Sequence, residues 1–321
     1  MARRILWATT AIAAACTAWV ALRRPAGGRL TDLGVYTGAV NELRQGASLY
    51  DFTSHLNAPF TYPPFAGLLF LPLADVPALP LQIAWTLATL AAVVVLAWLV
   101  GRGGWRTPAL ALALVLSAPV ASNIKFGQVS LFLAVLVAVD LLVLRRHRAF
   151  GVLIGLAAAI KLTPLIFIPL LWLAGRRRAA VVAAATFAGC VLIAALLLPG
   201  DSWRYWATEM TRVNRLGPIA NPGNQSLNGV LLRAGVENGT LALVLGGLIA
   251  AVALGQAARL ARRGDWLAAM VVTGAAGIVF SPVSWTHHQI WLVLGAAVLC
   301  REVVLVVMLR TRTEATKASH H

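Results

Sequence analysis

The chain has 321 residues, 60% of them hydrophobic and only 12% charged, and its mean hydropathy is +0.80. A soluble domain carries about 25% charged residues, so this composition excludes an ordinary soluble protein and indicates a chain solvated by lipid. The net charge of +16 does not indicate a nucleic-acid partner, because the basic residues stand in short clusters between apolar runs. Such clusters suit anionic lipid headgroups.

Ten apolar runs follow one another along the chain, some shorter than the roughly 20 residues that a membrane-spanning helix needs. They cover residues 5–22, 80–99, 108–120, 129–144, 150–160, 164–173, 179–198, 240–258, 266–280 and 289–309. The first run is longer than a usual signal-peptide core, so we expect it to be retained as a helix. The sequence therefore predicts an all-α polytopic membrane protein with about ten transmembrane helices, in a single domain over residues 1–321.

The basic clusters orient these predicted helices. With the N-terminus in the cytoplasm, every other loop holds a dense cluster, as the positive-inside rule requires. The clusters are residues 3–4, 102–106, 145–148, 176–178, 262–263 and 310–312. This arrangement predicts a multi-pass protein of the plasma membrane with both termini in the cytoplasm, including a tail over residues 310–321.

This orientation requires that two proline-interrupted stretches do not each form one ordinary transmembrane helix. Residues 65–73 are predicted to form a juxtamembrane or re-entrant helix on the outer side. Residues 150–173 are predicted to form two half-length helices that meet at Lys161. The outer loops are then 23–79 with that juxtamembrane helix included, 121–128, the Lys161 break, 199–239 and 281–288, and they hold most of the uncommon polar residues.

Asp32 lies in the first outer loop, just before a predicted amphipathic helix over residues 33–45. As the N-cap of that helix, its carboxylate would accept from free backbone N–H groups. As a general base at the membrane surface, it would take a proton from an acceptor hydroxyl. The two roles are compatible. Glu42 and Asp51 share the loop, but neither stands at a helix start next to the bilayer.

Other polar residues of the outer loops have two interpretations each. Tyr62, before two prolines, is an interfacial anchor or the wall of a lipid or sugar groove. Lys161 at its helix break either faces a cavity or extends to the membrane interface. Lys125, also a lysine between apolar runs, has the same two interpretations. His287 and His288 are adjacent, which makes them poor joint metal ligands. One of them donates to a phosphate, or both are plain interfacial residues.

The long outer loop combines two kinds of sequence. Its Trp-rich part, residues 203–206, suits a helix lying in the interface. The segment with Asn224 and Gln225 suits sugar hydroxyls, although an ordinary loop has the same composition. Neither a P-loop nor a dinucleotide fingerprint occurs in the sequence, so ATP and NAD are not indicated.

Taken in order, these segments resemble one family. It is glycosyltransferase family 87, the actinobacterial polyprenol-phosphate-mannose-dependent α-(1→2)-mannosyltransferases with the GT-C fold, which include the phosphatidylinositol mannoside mannosyltransferases. The segment at residues 281–288 is the most specific part of the resemblance. The matching pieces are Asp32, Gly46-Ala47-Ser48-Leu49-Tyr50, Tyr62-Pro63-Pro64, Gly127-Gln128, Lys161-Leu162-Thr163-Pro164, Asn224-Gln225-Ser226-Leu227 and Ser281-Pro282-Val283-Ser284-Trp285-Thr286-His287-His288.

The resemblance implies an inverting transfer of mannose from a polyprenyl-phosphate-mannose donor to a mannose of a membrane glycolipid or lipoglycan. It also implies a GT-C fold with outer juxtamembrane helices and an active site facing the periplasm or cell exterior. Asp32 would be the base. No metal or other cofactor is expected, and protein partners remain unknown. The residues expected at the donor phosphate are Lys161, His287, His288 and Lys125, and those expected at the sugars are Tyr62, Gln128, Asn224, Gln225 and Trp285.

Two alternatives of other classes remain open from the residues. One is a transporter of lipid-linked saccharides or small solutes, since short broken helices around Lys161 suit a midplane binding site. The other is a non-catalytic binder of lipid-linked sugars.

Overall fold

The computed structural model describes residues 1–300, and this part of the chain is helical without a β-strand. Its last helix, Ile290–Cys300, belongs to the predicted run 289–309; the rest of that run and the predicted tail 310–321 lie outside the described residues. The other helices are α1 (Ala2–Leu22), α2 (Thr31–Arg44), α3 (Pro64–Phe70), α4 (Ala78–Gly101), α5 (Arg106–Leu116), α6 (Ala118–Phe126), α7 (Ser130–Leu142), α8 (Val152–Ile160), α9 (Phe167–Leu173), α10 (Arg177–Leu197), α11 (Pro199–Ala207), α12 (Leu227–Arg233), α13 (Gly239–Arg262) and α14 (Trp266–Phe280).

Within residues 1–300, four helices are long and apolar enough to cross a membrane, namely α1, α4, α10 and α13. A fifth span results if α5 and α6, which are bent by 61° relative to each other, are taken as one. Other predicted runs form shorter apolar helices, such as α7 with 13 residues and α14 with 15. The structure therefore supports a helical membrane protein, whereas the predicted number of ten crossings is not confirmed.

The bend between α5 and α6 corrects the prediction of an outer loop over residues 121–128. Most of that segment is helical, because α6 continues to Phe126. Pro119 explains the bend, since its ring removes a backbone N–H and clashes with the preceding turn, and Ser117 is accordingly extended. Gly127 then ends α6 in the left-handed region, with φ +68°, which a glycine adopts at little cost. This turn delivers Gln128 to the site.

The interruption predicted at Lys161 is present in the structure. Helix α8 ends at Ile160, and the backbone of Lys161 is extended, with φ −152° and ψ 133°. A short 3-10 turn, Thr163–Ile166, follows with Pro164 in its first turn and leads into α9. Because the helix stops here, the lysine side chain leaves the chain at the junction of two short apolar helices.

Helix α2 begins two residues earlier than predicted, and this corrects one of the two roles offered for Asp32. Leu30 is the N-cap, in a left-handed conformation with φ 41° and ψ 54°. Asp32 therefore lies inside the first turn and is not the N-cap. The helix is fixed by packing: Tyr36 is fully buried and stacks on Phe70 of α3, with 4.6 Å between ring centroids. Helix α3, in turn, is the short helix predicted at residues 65–73.

Candidate active site

A cavity of about 1490 Å³ lies where the polar ends of these elements meet. Its walls come from one face of α1, the start of α2, the segment before α3, the end of α6, the break at Lys161 and the turn at residues 286–288. The volume exceeds the roughly 300–1,000 Å³ of ordinary small-molecule sites, so the cavity has room for a sugar together with part of a lipid chain.

Asp32, Gln128 and Lys161 form a hydrogen-bonded row on the wall of this cavity. The Gln128 amide Nε2 donates to Oδ2 of Asp32. On its other side, Gln128 Oε1 accepts from Lys161 Nζ at 3.4 Å. Gln128 itself is buried. A carboxylate and an ammonium group are thus held on either side of one neutral amide.

Two tyrosines support this row from behind. Tyr62 Oη donates to Gln128 Oε1 at 3.1 Å, and the hydroxyl oxygens of Tyr36 and Tyr62 are 2.8 Å apart. Because the proton of Tyr62 is used on the amide, Tyr36 is the donor in the second bond. Lys161 Nζ also lies 5.1 Å from the centroid of the Tyr62 ring, a distance at which a cation is attracted to an aromatic face.

The surroundings of the row shift the pKa of both of its charged groups from their ordinary values. Burial raises the pKa of the Asp32 carboxyl above its ordinary 3.8, although the hydrogen bond from Gln128 and the charge of Lys161 act to lower it. Burial lowers the pKa of the Lys161 ammonium to about 8, and the charge of Asp32 opposes that shift. Perturbed pKa values in a cleft are typical of functional sites.

His287 and His288 lie on the same cavity, in a 3-10 turn, Thr286–His288, with 4.3 Å between their ring centroids. Nδ1 of His288 accepts from the backbone N–H of Trp285 at 3.1 Å, so a neutral ring carries its proton on Nε2. That Nε2 and the Nδ1 of His287 have no hydrogen-bond partner within residues 1–300. Burial and the charge of Lys161 lower the pKa of both rings well below 6.5, so these histidines are neutral donors or acceptors.

The remaining residues singled out in the sequence divide into two groups. Lys125 and Trp285 line the cavity, and the Lys125 side chain lies over the ring of Phe126 at 4.7 Å. Asn224 and Gln225 do not line it. The Asn224 amide is fully buried and bonds to backbone groups, including the Ser284 N–H at 2.8 Å, so it joins the long loop to the turn that carries the histidines. A sugar contact by either residue stays a prediction.

Two charged features were missed in the sequence. Glu209 lines the cavity with a nearly buried carboxylate that pairs with Arg204 at 3.0 Å, Arg212 at 3.2 Å and Arg215. The arginines of this loop are visible in the sequence, but the sequence does not show which acidic residue they surround. Asp140, in the last turn of α7, is fully buried and accepts from two backbone N–H groups at the start of α8, each at 2.9 Å. Its role is to join two helices.

Within the described part of the chain, no three His, Cys, Asp or Glu side chains converge as metal ligands. The expected metal independence stays a prediction, because a sparse ligand set does not decide whether an ion takes part. Asp32 lies on the wall of the cavity beside an amide and an ammonium group.

Comparison with known proteins gives concordant matches. The family model described as Glycosyltransferase family 87 matches residues 60–282, a range that includes Gln128 and Lys161 but not Asp32 or the two histidines. A polyprenol-phosphate-mannose-dependent alpha-(1-2)-phosphatidylinositol mannoside mannosyltransferase of Mycobacterium tuberculosis is 33% identical over 276 residues, which are 79% of this chain and 65% of that protein.

A polyprenol-phosphate-mannose-dependent alpha-(1-2)-phosphatidylinositol pentamannoside mannosyltransferase of Mycolicibacterium smegmatis is 36% identical over 289 residues, which are 84% of this chain and 69% of that protein. The chain thus spans about two thirds of the length of these curated relatives. No solved structure matches it.

Proposed function

Because the chain belongs to glycosyltransferase family 87, we propose that it transfers mannose from a polyprenyl-phosphate-mannose donor to a mannose of a membrane glycolipid or lipoglycan, with inversion. The relatives are named as mannosyltransferases that depend on this donor. The observation that carries the proposal is the single cavity that joins the Asp32–Gln128–Lys161 row to the side of an apolar membrane helix.

Asp32 acts as the general base in this reaction. An acceptor hydroxyl oxygen bonds to the anomeric carbon of the donor while its proton passes to Oδ1 of the Asp32 carboxylate. The other carboxylate oxygen is held by Gln128, which fixes the direction of the group. Attack on the face opposite the phosphate converts a β-linked donor into an α-linked product.

Lys161 and the histidine turn stabilise the leaving group. The bond from the anomeric carbon to the phosphate oxygen breaks with its electron pair, which leaves a polyprenyl phosphate monoester. An ammonium group and an imidazole N–H aimed at the phosphate offset this developing charge. Lys161 supplies the first and His288 Nε2 the second, with Lys125 farther out on the same cavity.

Helix α1 supplies the surface for the lipid part of the donor. Cys16, Thr17, Val20 and Ala21 line the cavity, and this spacing places them on one face of the helix. A polyprenyl chain along this face would keep its apolar atoms out of water while its phosphate reaches the polar row. Trp285 offers aromatic surface for the sugars in the same cavity.

The architecture and the membrane orientation of the protein are compatible with this reaction. A GT-C architecture fits a base in the first outer loop together with the short helix α3 beside the predicted membrane surface. Basic clusters on one side of the predicted helices favour a plasma-membrane protein with cytoplasmic termini and a site open to the periplasm or cell exterior. A leaving phosphate matched by cationic and N–H donors is compatible with a reaction that needs no metal.

The test is transfer of labelled mannose by the purified protein, reconstituted with polyprenyl-phosphate-mannose and a series of mannosylated membrane glycolipids. The expected result is an α-linked product and an equal amount of polyprenyl phosphate, unchanged by a chelator. Loss of the reaction on chelation would refute metal independence alone. Absence of product over the whole acceptor series, with donor still bound, would favour the binder, and passage of the donor across vesicles without transfer would favour the transporter.

A further inference from the structure

The amide of Gln128 has one possible orientation in this structure. Its Oε1 receives the Tyr62 hydroxyl at 3.1 Å and the Lys161 ammonium at 3.4 Å. Its Nε2 faces the Asp32 carboxylate. The reversed amide would place its N–H groups against the Lys161 ammonium, which can only donate, and its carbonyl against the Asp32 carboxylate, which can only accept. The Tyr62 hydroxyl, which can donate or accept, fits this orientation by donating to the amide while it accepts from Tyr36.

The consequence is a separation of charge. Among the ion pairs formed within residues 1–300, none joins Asp32 to Lys161, although both groups bond to the same side chain. Opposite charges in a poorly hydrated site attract strongly. If the amide were absent, the ammonium would move onto the carboxylate, and the ion pair would occupy an oxygen that must accept a proton and a cation that must meet a phosphate.

We propose that Gln128 is a positioning residue that keeps the base and the phosphate-binding cation apart, so that each faces its own part of the substrate. This inference rests on the proposed function, since it assigns the two charges their roles in that reaction. It replaces the expectation that Gln128 contacts a sugar. The amide acts through Asp32 and Lys161 and needs no contact with substrate.

Two substitutions at Gln128 separate these roles. In Gln128→Met, which has similar length and no hydrogen bonds to give, Lys161 pairs directly with Asp32. We expect kcat to fall about 10- to 100-fold, as a small misplacement of catalytic groups does, with KM for donor and acceptor within about twofold of wild type. The acid limb of the pH profile moves to lower pH and the alkaline limb to higher pH, because each charge now stabilises the other.

In Gln128→Glu the added carboxylate lies beside Asp32, and like charges disfavour ionisation. The acid limb is therefore expected to move to higher pH, opposite to the shift in Gln128→Met. The charged and titratable groups that face Asp32 are Lys161, Tyr36 and Tyr62, and the two tyrosines stay protonated because burial raises the pKa of each hydroxyl. In Gln128→Met the pH limbs therefore shift through Lys161, and in Gln128→Glu the acid limb shifts through the added carboxylate.

The control is Gln45→Met, the same change at an exposed glutamine after α2, which is expected to leave rates and pH profile unchanged. A rise in KM of tenfold or more with an unshifted pH profile would overturn the proposal and restore the sugar contact. A structure of Gln128→Met in which Asp32 and Lys161 remain apart would also overturn it. That structural readout does not depend on turnover, so a wild type without transferase activity would refute the proposed function and leave this inference open to its own test.

Discussion

Asp32→Asn is the substitution that bears most directly on the chemistry. The Asn side chain has the shape of the carboxylate, and its Oδ1 can still accept from Gln128 Nε2. What it cannot do is take a proton from the acceptor hydroxyl. Loss of a positioned general base lowers rates about 10²- to 10⁴-fold, which corresponds to about 3–5 kcal/mol in activation free energy. We expect a fall of this size in kcat, with donor binding within a few-fold of wild type.

The fold is expected to survive this substitution. Burial raises the pKa of Asp32, so the ionised carboxylate opposes folding at neutral pH, and a neutral amide removes that cost. Loss of the charge opposite Lys161 acts in the other direction. The melting temperature in detergent should therefore change little.

The assay for this substitution is single-turnover transfer of labelled mannose, with Glu42→Gln as a matched control farther along α2. Glu42 does not line the cavity. Asp32→Asn protein that is folded, binds donor and transfers mannose at more than about a tenth of the wild-type rate would refute the role of Asp32 as base.

Three further predictions concern pH and packing. The pH profile of kcat/KM should be bell-shaped: Asp32 must be ionised and its pKa is raised by burial, and Lys161 must be charged and its pKa is lowered to about 8. In Lys161→Arg the fall of kcat/KM on the alkaline side should disappear. Asp140→Ala leaves two buried N–H groups at the start of α8 without their acceptor, so thermal unfolding should show a loss of about 1–3 kcal/mol with unchanged activity per folded molecule. Gly127→Ala brings a Cβ to 2.9 Å from Leu33 at φ +68°, so the free energy of unfolding should fall by about 1–2 kcal/mol. The rate of mannose transfer per folded molecule should also fall, because Gln128 is displaced.

The sequence was informative where local chemistry decides structure. Pro164 and a lysine inside an apolar run predict the break at Lys161, and the structure has it. Prolines before an apolar stretch predict the short helix α3. The start of α2 was placed wrongly because the residue that caps it is Leu30 in a left-handed conformation, which no propensity of leucine indicates.

Long-range contacts could not be predicted from the same information. Asp32 and Gln128 are 96 residues apart in the chain, and nothing in either segment indicates the pairing. Asn224 is a polar residue of a loop whose composition suits sugar binding, but in the structure its side chain bonds to the backbone of Ser226 and Ser284 and so holds two loops together. Asp140 was missed because a carboxylate inside an apolar helix has no local partner, and its acceptor role depends on α8.

The position of the cavity beside α1 connects the composition of the chain with its chemistry. The cavity begins at Cys16 and α1 ends at Leu22, so this face covers about 9 Å at 1.5 Å per residue. That length along the helix is comparable to the roughly 5–10 Å over which amphipathic groups enter the boundary between headgroups and acyl chains. A donor anchored in lipid can therefore place its phosphate near Lys161 while its chain stays along α1, whereas a water-soluble sugar nucleotide would leave this apolar face without a partner. Under the proposed function, a lipid-linked donor and a base placed directly after the first membrane helix thus meet the same physical requirement.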